Sequence, residues 1–158
     1  MTKTAHPHDP QALKAEFQGA ASLQGQGDFE GAIAAYEALL EKTPGHPQIL
    51  NMCAVSNLEL GRHEKALELF EQAVENAPDY QDAWLNLGIA RQQTGDHEGA
   101  AAAYGQVQRL APDSPVGHAH FANVCQLLQR YSEAVSGYED ALKAAPDNPE
   151  IWTNYARA

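Results

Sequence analysis

The sequence predicts an all-α protein in which antiparallel helix pairs stack as a solenoid. Three kinds of residue recur every 34 positions: a proline, an alanine, and an aromatic residue four positions after the alanine. The series are Pro44, Pro78, Pro112 and Pro146; Ala32, Ala66, Ala100 and Ala134; and Tyr36, Phe70, Tyr104 and Tyr138. A period of this length, held in phase over four copies, is typical of repeat proteins whose single unit cannot bury its own apolar face.

Each unit is predicted to form two helices. In the third copy, residues 81–91 have apolar side chains three and four positions apart, as one face of a helix requires. Gly95 should end this helix, because glycine adopts the left-handed conformation common at helix C-termini. Asp96 is placed to cap the second helix, and Pro112 to stop it. Gln129 is the exception in the glycine series Gly27, Gly61 and Gly95.

Small residues predict where the two helices of a unit approach closely. Ala20, Ala54, Gly88 and Ala122 lie on the first helices, and the alanine series lies on the second. Large residues such as Trp84, Leu87 and Tyr104 should fill the space on either side. Helix axes about 8–10 Å apart then become possible.

These residues also carry a resemblance to a known family. Trp84-x-x-Leu87-Gly88, Ala100-x-x-x-Tyr104 and Pro112 resemble the diagnostic positions of the tetratricopeptide repeat. The resemblance implies a right-handed superhelical solenoid of four units, 13–46, 47–80, 81–114 and 115–148. A truncated fifth unit follows at 149–158, and residues 1–12 are expected to be a flexible lead-in. Arg91 departs from the pattern, because the family usually has tyrosine there.

The charge balance restricts the kinds of partner. The 21 acidic residues outnumber the 10 basic ones, for a formal net charge of -11. Nucleic acids and anionic membrane surfaces both attract basic proteins, so neither is an expected partner. The N-terminal residues lack the apolar run of a signal peptide, and the two cysteines form no spacing motif. Together these features predict a cytoplasmic protein with reduced cysteines.

The sequence offers no convergent set of catalytic groups, so no enzymatic activity, cofactor or metal is expected. His118 and His120 would point about 200° apart on a helix, and His118 is interpreted as a packed histidine. His6 and His8 lie in the predicted lead-in. Cys53 and Cys125 are interpreted as small buried hydrophobic residues. Glu64, Glu68, Glu71 and Glu75 form a stripe that indicates a solvated outer face, with a docking site for basic segments as the alternative.

The resemblance implies that the first helices line a concave groove that receives a peptide. The family's inward positions, carried onto this chain, give the candidate site Asn51, Met52, Val55, Leu85, Asn86, Ile89, His120 and Asn123. Chaperone-binding members grip a terminal carboxylate with several basic residues, whereas this groove has Lys14 alone. Amides alternate instead with aliphatic side chains, which suits an extended main chain.

The sequence supports three interpretations of function. The first is a protein–protein interaction module or scaffold. The second is the recognition arm of a larger enzyme, for example a glycosyltransferase, because Asn86 and Asn154 share a position of the asparagine ladder found in such enzymes. Met52 and His120 interrupt that ladder. The third is end-to-end self-association through Ile151, Trp152 and Tyr155, which are expected to remain partly uncovered.

Overall fold

The computed structural model describes residues 10–158, and these residues form nine α-helices and no strand. The helices are α1 (Pro10–Gly25), α2 (Phe29–Lys42), α3 (Pro47–Glu59), α4 (His63–Asn76), α5 (Gln81–Gln93), α6 (His97–Leu110), α7 (Pro115–Leu127), α8 (Tyr131–Ala144) and α9 (Pro149–Tyr155). Part of the predicted lead-in, residues 1–9, lies outside the described residues. Residues 10–12, the last three of the predicted lead-in, are helical. Helix α1 begins at Pro10, and proline suits the first turn of a helix.

The helices belong to two compact units. The N-terminal unit extends to Pro78, and its helices pack consecutively, α1 on α2, α2 on α3 and α3 on α4. The C-terminal unit is Asp79–Ala158, in which α5 to α9 pack consecutively in the same way. An exposed ion pair joins neighbouring repeats within each unit: Arg62 with Glu30, and Arg130 with Glu98. Exposed pairs of this kind contribute little stability, so packing must hold the repeats together.

The helix ends follow from the predicted capping residues. Asp96 accepts a hydrogen bond from the backbone N–H of Gly99 at 2.9 Å, and Ser114 caps α7. Gly95 has a φ of 84°, and Gln129 takes the same left-handed conformation with a φ of 60°. The turn is therefore kept even where glycine is missing. Arg91, the departure from the family pattern, donates to the carbonyl oxygen of Gly99 at 3.3 Å, across the turn between α5 and α6.

The core consists of the small and aromatic residues that the period identified. The four alanines of the series and the four aromatic residues all have 0% of their surface exposed. In the third repeat the first helix has glycine at the crossing, and a Cβ on residue 88 would overlap the ring of Tyr104. Glycine at position 88 therefore allows the ring to lie directly against the backbone of α5.

The last helix is more covered than expected. Ile151 is 4% exposed and packs with Tyr138, Ala141 and Leu142, so the prediction that it stays uncovered is wrong. Trp152 is 51% exposed, and its indole N–H donates to the carbonyl oxygen of Pro146 at 2.7 Å. Tyr155 is half-buried. None of the nine described helices is long and apolar enough to cross a lipid bilayer.

The close helix crossing predicts the effect of a core substitution. Ala100→Leu should lower the free energy of unfolding by about 1–3 kcal/mol, because extra methyl groups overpack the site. Ala102 is exposed on the same helix, so Ala102→Leu is a matched control that should change stability little. Urea unfolding followed by circular dichroism measures both. A neutral Ala100→Leu variant would contradict a tightly packed crossing at this position.

Candidate functional site

In the N-terminal unit, the predicted groove residues lie on α3, and one of them is inaccessible. Asn51 is only 3% exposed, so its assignment to a ligand-binding surface is wrong. The inward positions of the family apply to an average repeat, whereas in this chain the side chain of Asn51 is buried. Met52 and Val55 are half-buried and keep accessible surface.

A cavity of about 300 Å³ lies between α1, α2 and α3 of the same unit. Its lining is mostly apolar: Pro10, Leu13, Lys14, Phe17, Leu39, Thr43, His46, Gln48 and Ile49. Phe17 contacts Tyr36 with ring centroids 5.8 Å apart. Lys14, Phe17 and Gln48 occupy inward positions of the family pattern. This cavity can hold an apolar side chain beside one ammonium group.

In the C-terminal unit, the predicted apolar residues Leu85 and Ile89 are half-buried on α5. Both pack against a cluster that contains Tyr104 and Val124. Asn86 lies between them in sequence and is also half-buried. These three residues therefore keep the accessible surface that a ligand contact requires.

A smaller cavity, about 130 Å³, lies between α7 and α9; we call it the α7–α9 cavity. It is lined by Pro115, Val116, Ala119, His120, Asn123, Asn148, Glu150, Ile151 and Asn154. The structure thus brings the predicted residues His120 and Asn123 together with Asn154. Val116 is 48% exposed, which leaves an apolar contact at the rim. Amide, imidazole, carboxylate and aliphatic groups all meet here.

The imidazole of His120 is held against the core. Its ring stacks on Tyr104, with centroids 5.2 Å apart and an interplanar angle of 24°. Burial lowers the pKa of His120, and the nearby carboxylate of Glu150 partly opposes that shift. The imidazole is therefore neutral at neutral pH and offers one donor and one acceptor.

The hydroxyl groups of three buried tyrosines form hydrogen bonds with half-buried amide side chains. The hydroxyl of Tyr36 donates to Gln24 at 2.9 Å, and that of Tyr104 donates to Gln92 at 3.0 Å. The hydroxyl of Tyr138 lies 2.5 Å from Oδ1 of Asn123. Burial raises the pKa of all three tyrosines, that of Tyr36 to about 12, so the hydroxyls stay protonated.

His118, one of the histidines singled out in the sequence, is engaged in contacts of its own. His118 lies 3.0 Å from Gln108 through Nδ1 and 2.7 Å from the carbonyl oxygen of Pro112 through Nε2, as expected of a packed histidine. Within residues 10–158, no group of three His, Cys, Asp or Glu side chains is placed to hold a metal ion. His6 and His8 lie outside the described residues.

The cysteines and the glutamate stripe have the predicted environments. Cys53 and Cys125 are buried free thiols. Burial, with a smaller contribution from nearby carboxylates, raises the pKa of each thiol to about 11. Such thiols are poor nucleophiles. The four glutamates on α4 are exposed, as a solvated face requires.

Comparison with known proteins identifies the family to which these stacked helix pairs belong. Models described as "Tetratricopeptide repeat" match residues 17–81, 54–115 and 115–158. The chain belongs to the tetratricopeptide-repeat family. A search of curated protein sequences gave no significant match.

Solved structures share the fold at low sequence identity. The MamA protein is similar with a TM-score of 0.84 and 18% identity, over 93% of this chain and 80% of that one. TTC0263, a thermophilic TPR protein of Thermus thermophilus, gives a TM-score of 0.74 and 24% identity, over 96% and 82%. The first TPR of Spaghetti (RPAP3), bound to the HSP90 peptide SRMEEVD, is similar with a TM-score of 0.72 and 22% sequence identity. The match covers 77% of this chain and 96% of that one.

The raised pKa values of the buried thiols of Cys53 and Cys125 predict a loss of stability at alkaline pH. In the unfolded chain the thiols ionise near their ordinary pKa of 9.0, whereas in the fold they stay protonated until about pH 11. The contribution of the thiols to the free energy of unfolding should therefore be constant below pH 9 and fall between pH 9 and 11. Urea titrations at pH 7.5, 9 and 10.5 measure this.

A cysteine-free control separates the thiols from the tyrosines. In the Cys53→Ala, Cys125→Ala variant, the fall between pH 9 and 11 should become shallower, while the contribution of Tyr36 persists to about pH 12. An unchanged slope in that variant would show that the thiols do not carry the effect.

Proposed function

We propose that this chain is a protein-interaction module that binds an extended segment of another protein, and that it acts by binding rather than by catalysis. The observation that carries the proposal is the α7–α9 cavity. There the amide of Asn123 and the imidazole of His120 lie beside the exposed aliphatic side chain of Val116. Polar groups can hold a main chain while an apolar contact holds a side chain.

Two further residues of the C-terminal unit offer apolar contacts to a ligand. Leu85 and Ile89 are half-buried and rest on a rigid core, so their contact surfaces are already ordered before a ligand arrives. A preorganised surface loses little conformational entropy on binding, whereas a disordered peptide loses much. Affinity should therefore be modest, and a few contacts should dominate it.

The charge of the chain favours a segment with basic residues. The net charge is -11, and the exposed carboxylate of Glu150 lies in the lining of the cavity. Long-range attraction of this kind raises the association rate and weakens with salt. The structurally similar RPAP3 domain is bound to a peptide with acidic residues near its end. This chain should differ in preference, because Lys14 is the one basic residue among the predicted inward positions.

The proposal is tested with peptides selected from a random dodecapeptide phage library on the purified chain. Asn86→Ala combined with Asn123→Ala should weaken binding of the selected peptide about tenfold or more, because two hydrogen-bonding amides are removed. Fluorescence anisotropy measures the affinity, and thermal unfolding confirms that the fold is retained.

Two controls sharpen this test. Asn76 is an exposed amide on α4, and Asn76→Ala should leave binding unchanged. A C-terminally amidated peptide should bind like its free acid, because Lys14 is the one basic residue at the predicted inward positions and cannot clamp a carboxylate by itself. Equal binding by the double variant and the wild type would move the site elsewhere, with the glutamate stripe of α4 the next surface to test.

Self-association is a second candidate, favoured by the exposed indole of Trp152. If this side chain mediates contacts between copies, Trp152→Ala should abolish concentration-dependent association in sedimentation velocity. A strict monomer at high concentration would contradict it. The recognition arm of a larger enzyme stays a prediction; the full open reading frame tests it.

A further inference from the structure

His118 occupies a position that a tryptophan holds elsewhere in the chain. Trp84 and Trp152 stand at the equivalent position of the third repeat and of the fifth unit. Because a carbonyl oxygen only accepts, Nε2 of His118 donates to that of Pro112, 2.7 Å away. The indole N–H of Trp152 makes the same bond, at the same length, to Pro146. The imidazole of His118 therefore keeps the hydrogen bond of an indole without its volume.

Two adjacent cavities flank this smaller ring. One of about 600 Å³ lies between the α6–α7 loop, α7 and α8, and one of about 240 Å³ lies between α6, α7 and α8. His118 and Asp140 line both cavities, which we together call the His118 cleft. His118 and His120 point about 200° apart on α7. The His118 cleft therefore lies on the opposite face of α7 from the α7–α9 cavity.

The His118 cleft carries a negative charge. Its lining contains the carboxylates of Asp113, Glu133 and Asp140 against one ammonium group, that of Lys143. The hydrogen bond from Lys143 holds the pKa of Asp140 below its ordinary value, so this carboxylate is ionised at neutral pH. The side chain of Lys143 is nevertheless 75% exposed. Exposed pairs contribute little free energy, so a cation that fits the cleft better can displace this ammonium group.

The lining favours a flat cation with an apolar stem. Phe121, Pro112 and Ala144 line the cleft beside the carboxylates. Both ring nitrogens of His118 are engaged, Nδ1 with Gln108 at 3.0 Å, so the ring can offer a ligand only its face. The methylene stem of arginine suits apolar contacts, and its planar guanidinium stacks on rings and pairs with carboxylates through two hydrogen bonds. Arginine therefore matches this lining better than lysine does.

We propose that the His118 cleft is a second docking site, which takes an arginine side chain of a partner protein. The carboxylates alone would form a solvated surface, and the space beside His118 is what allows a guanidinium to enter between them. This site goes beyond the proposed function, because it uses none of the residues of the α7–α9 cavity. Since the two sites lie on opposite faces of α7, the chain can hold two different segments at once.

The proposal is tested with the capped tripeptide acetyl-Gly-Arg-Gly-amide, titrated into the isotopically labelled chain and followed by NMR. The tripeptide should shift the backbone amide resonances of Gly137 and Asp140 and the ring resonances of His118. The same tripeptide with citrulline, which keeps the shape but has no charge, should leave them in place. The lysine tripeptide should bind about threefold more weakly or less tightly still, because an ammonium group cannot pair bidentately. Equal binding of the citrulline or lysine tripeptide would overturn the proposal.

Two variants of the cleft have opposite expected effects. His118→Trp should abolish the shifts, because the indole fills the cleft. It should keep the melting temperature, because an indole can donate to Pro112 as Trp152 donates to Pro146. Lys143→Gln should strengthen binding about two- to fivefold, because it removes the competing ammonium group.

Lys65→Gln is the matched control for Lys143→Gln. Lys65 also pairs with a carboxylate three residues away, Glu68 at 2.8 Å, but it lies on α4. This control changes the net charge equally and should leave binding unchanged. Equal gains from the two lysine variants, or shifts that persist in His118→Trp, would show a response to net charge alone and overturn the proposal. Neither result depends on the phage-selected peptide, so the proposed function and the His118 cleft stand or fall separately.

Discussion

The close crossing of the two helices in each repeat is the constraint on which the rest of the structure depends. A small residue on each helix lets the backbones approach, and a fully buried aromatic ring seals the crossing. Tyr104 shows how much follows from this contact. Its ring lies against Gly88, its hydroxyl donates to Gln92, and its ring stacks with the imidazole of His120. One buried residue therefore contacts both the packed backbone and the half-buried side chains of Gln92 and His120.

The parts of the fold that depend on local backbone chemistry could be predicted from the sequence. The capping of α6 by Asp96 follows from the hydrogen-bonding capacity of a side chain three residues from its partner. The buried alanines follow from their period. Gln129 is the exception in the glycine series, and it takes the same left-handed conformation as the glycines, with a φ of 60°.

The parts that depend on neighbouring helices could not be predicted in the same way. The family's pattern placed Asn51 in a groove, but its burial depends on what surrounds it in space. Ile151 was expected to be uncovered, whereas residues of α8 cover it. The bond between Tyr138 and Asn123 was also missed, although the joint change from tyrosine and glutamine in three repeats to Phe70 and Leu58 in the second was visible in the sequence.

That joint change suggests how one core position controls the chemistry of a surface position. A buried tyrosine makes an amide at its partner position favourable, because the hydroxyl needs an acceptor. A buried phenylalanine removes this requirement, and in the second repeat the half-buried partner is the aliphatic Leu58. The choice between two rings of almost equal volume thus decides whether the partner position is polar or apolar. Repeats with one backbone can in this way present different chemistry to a ligand without any change in helix packing.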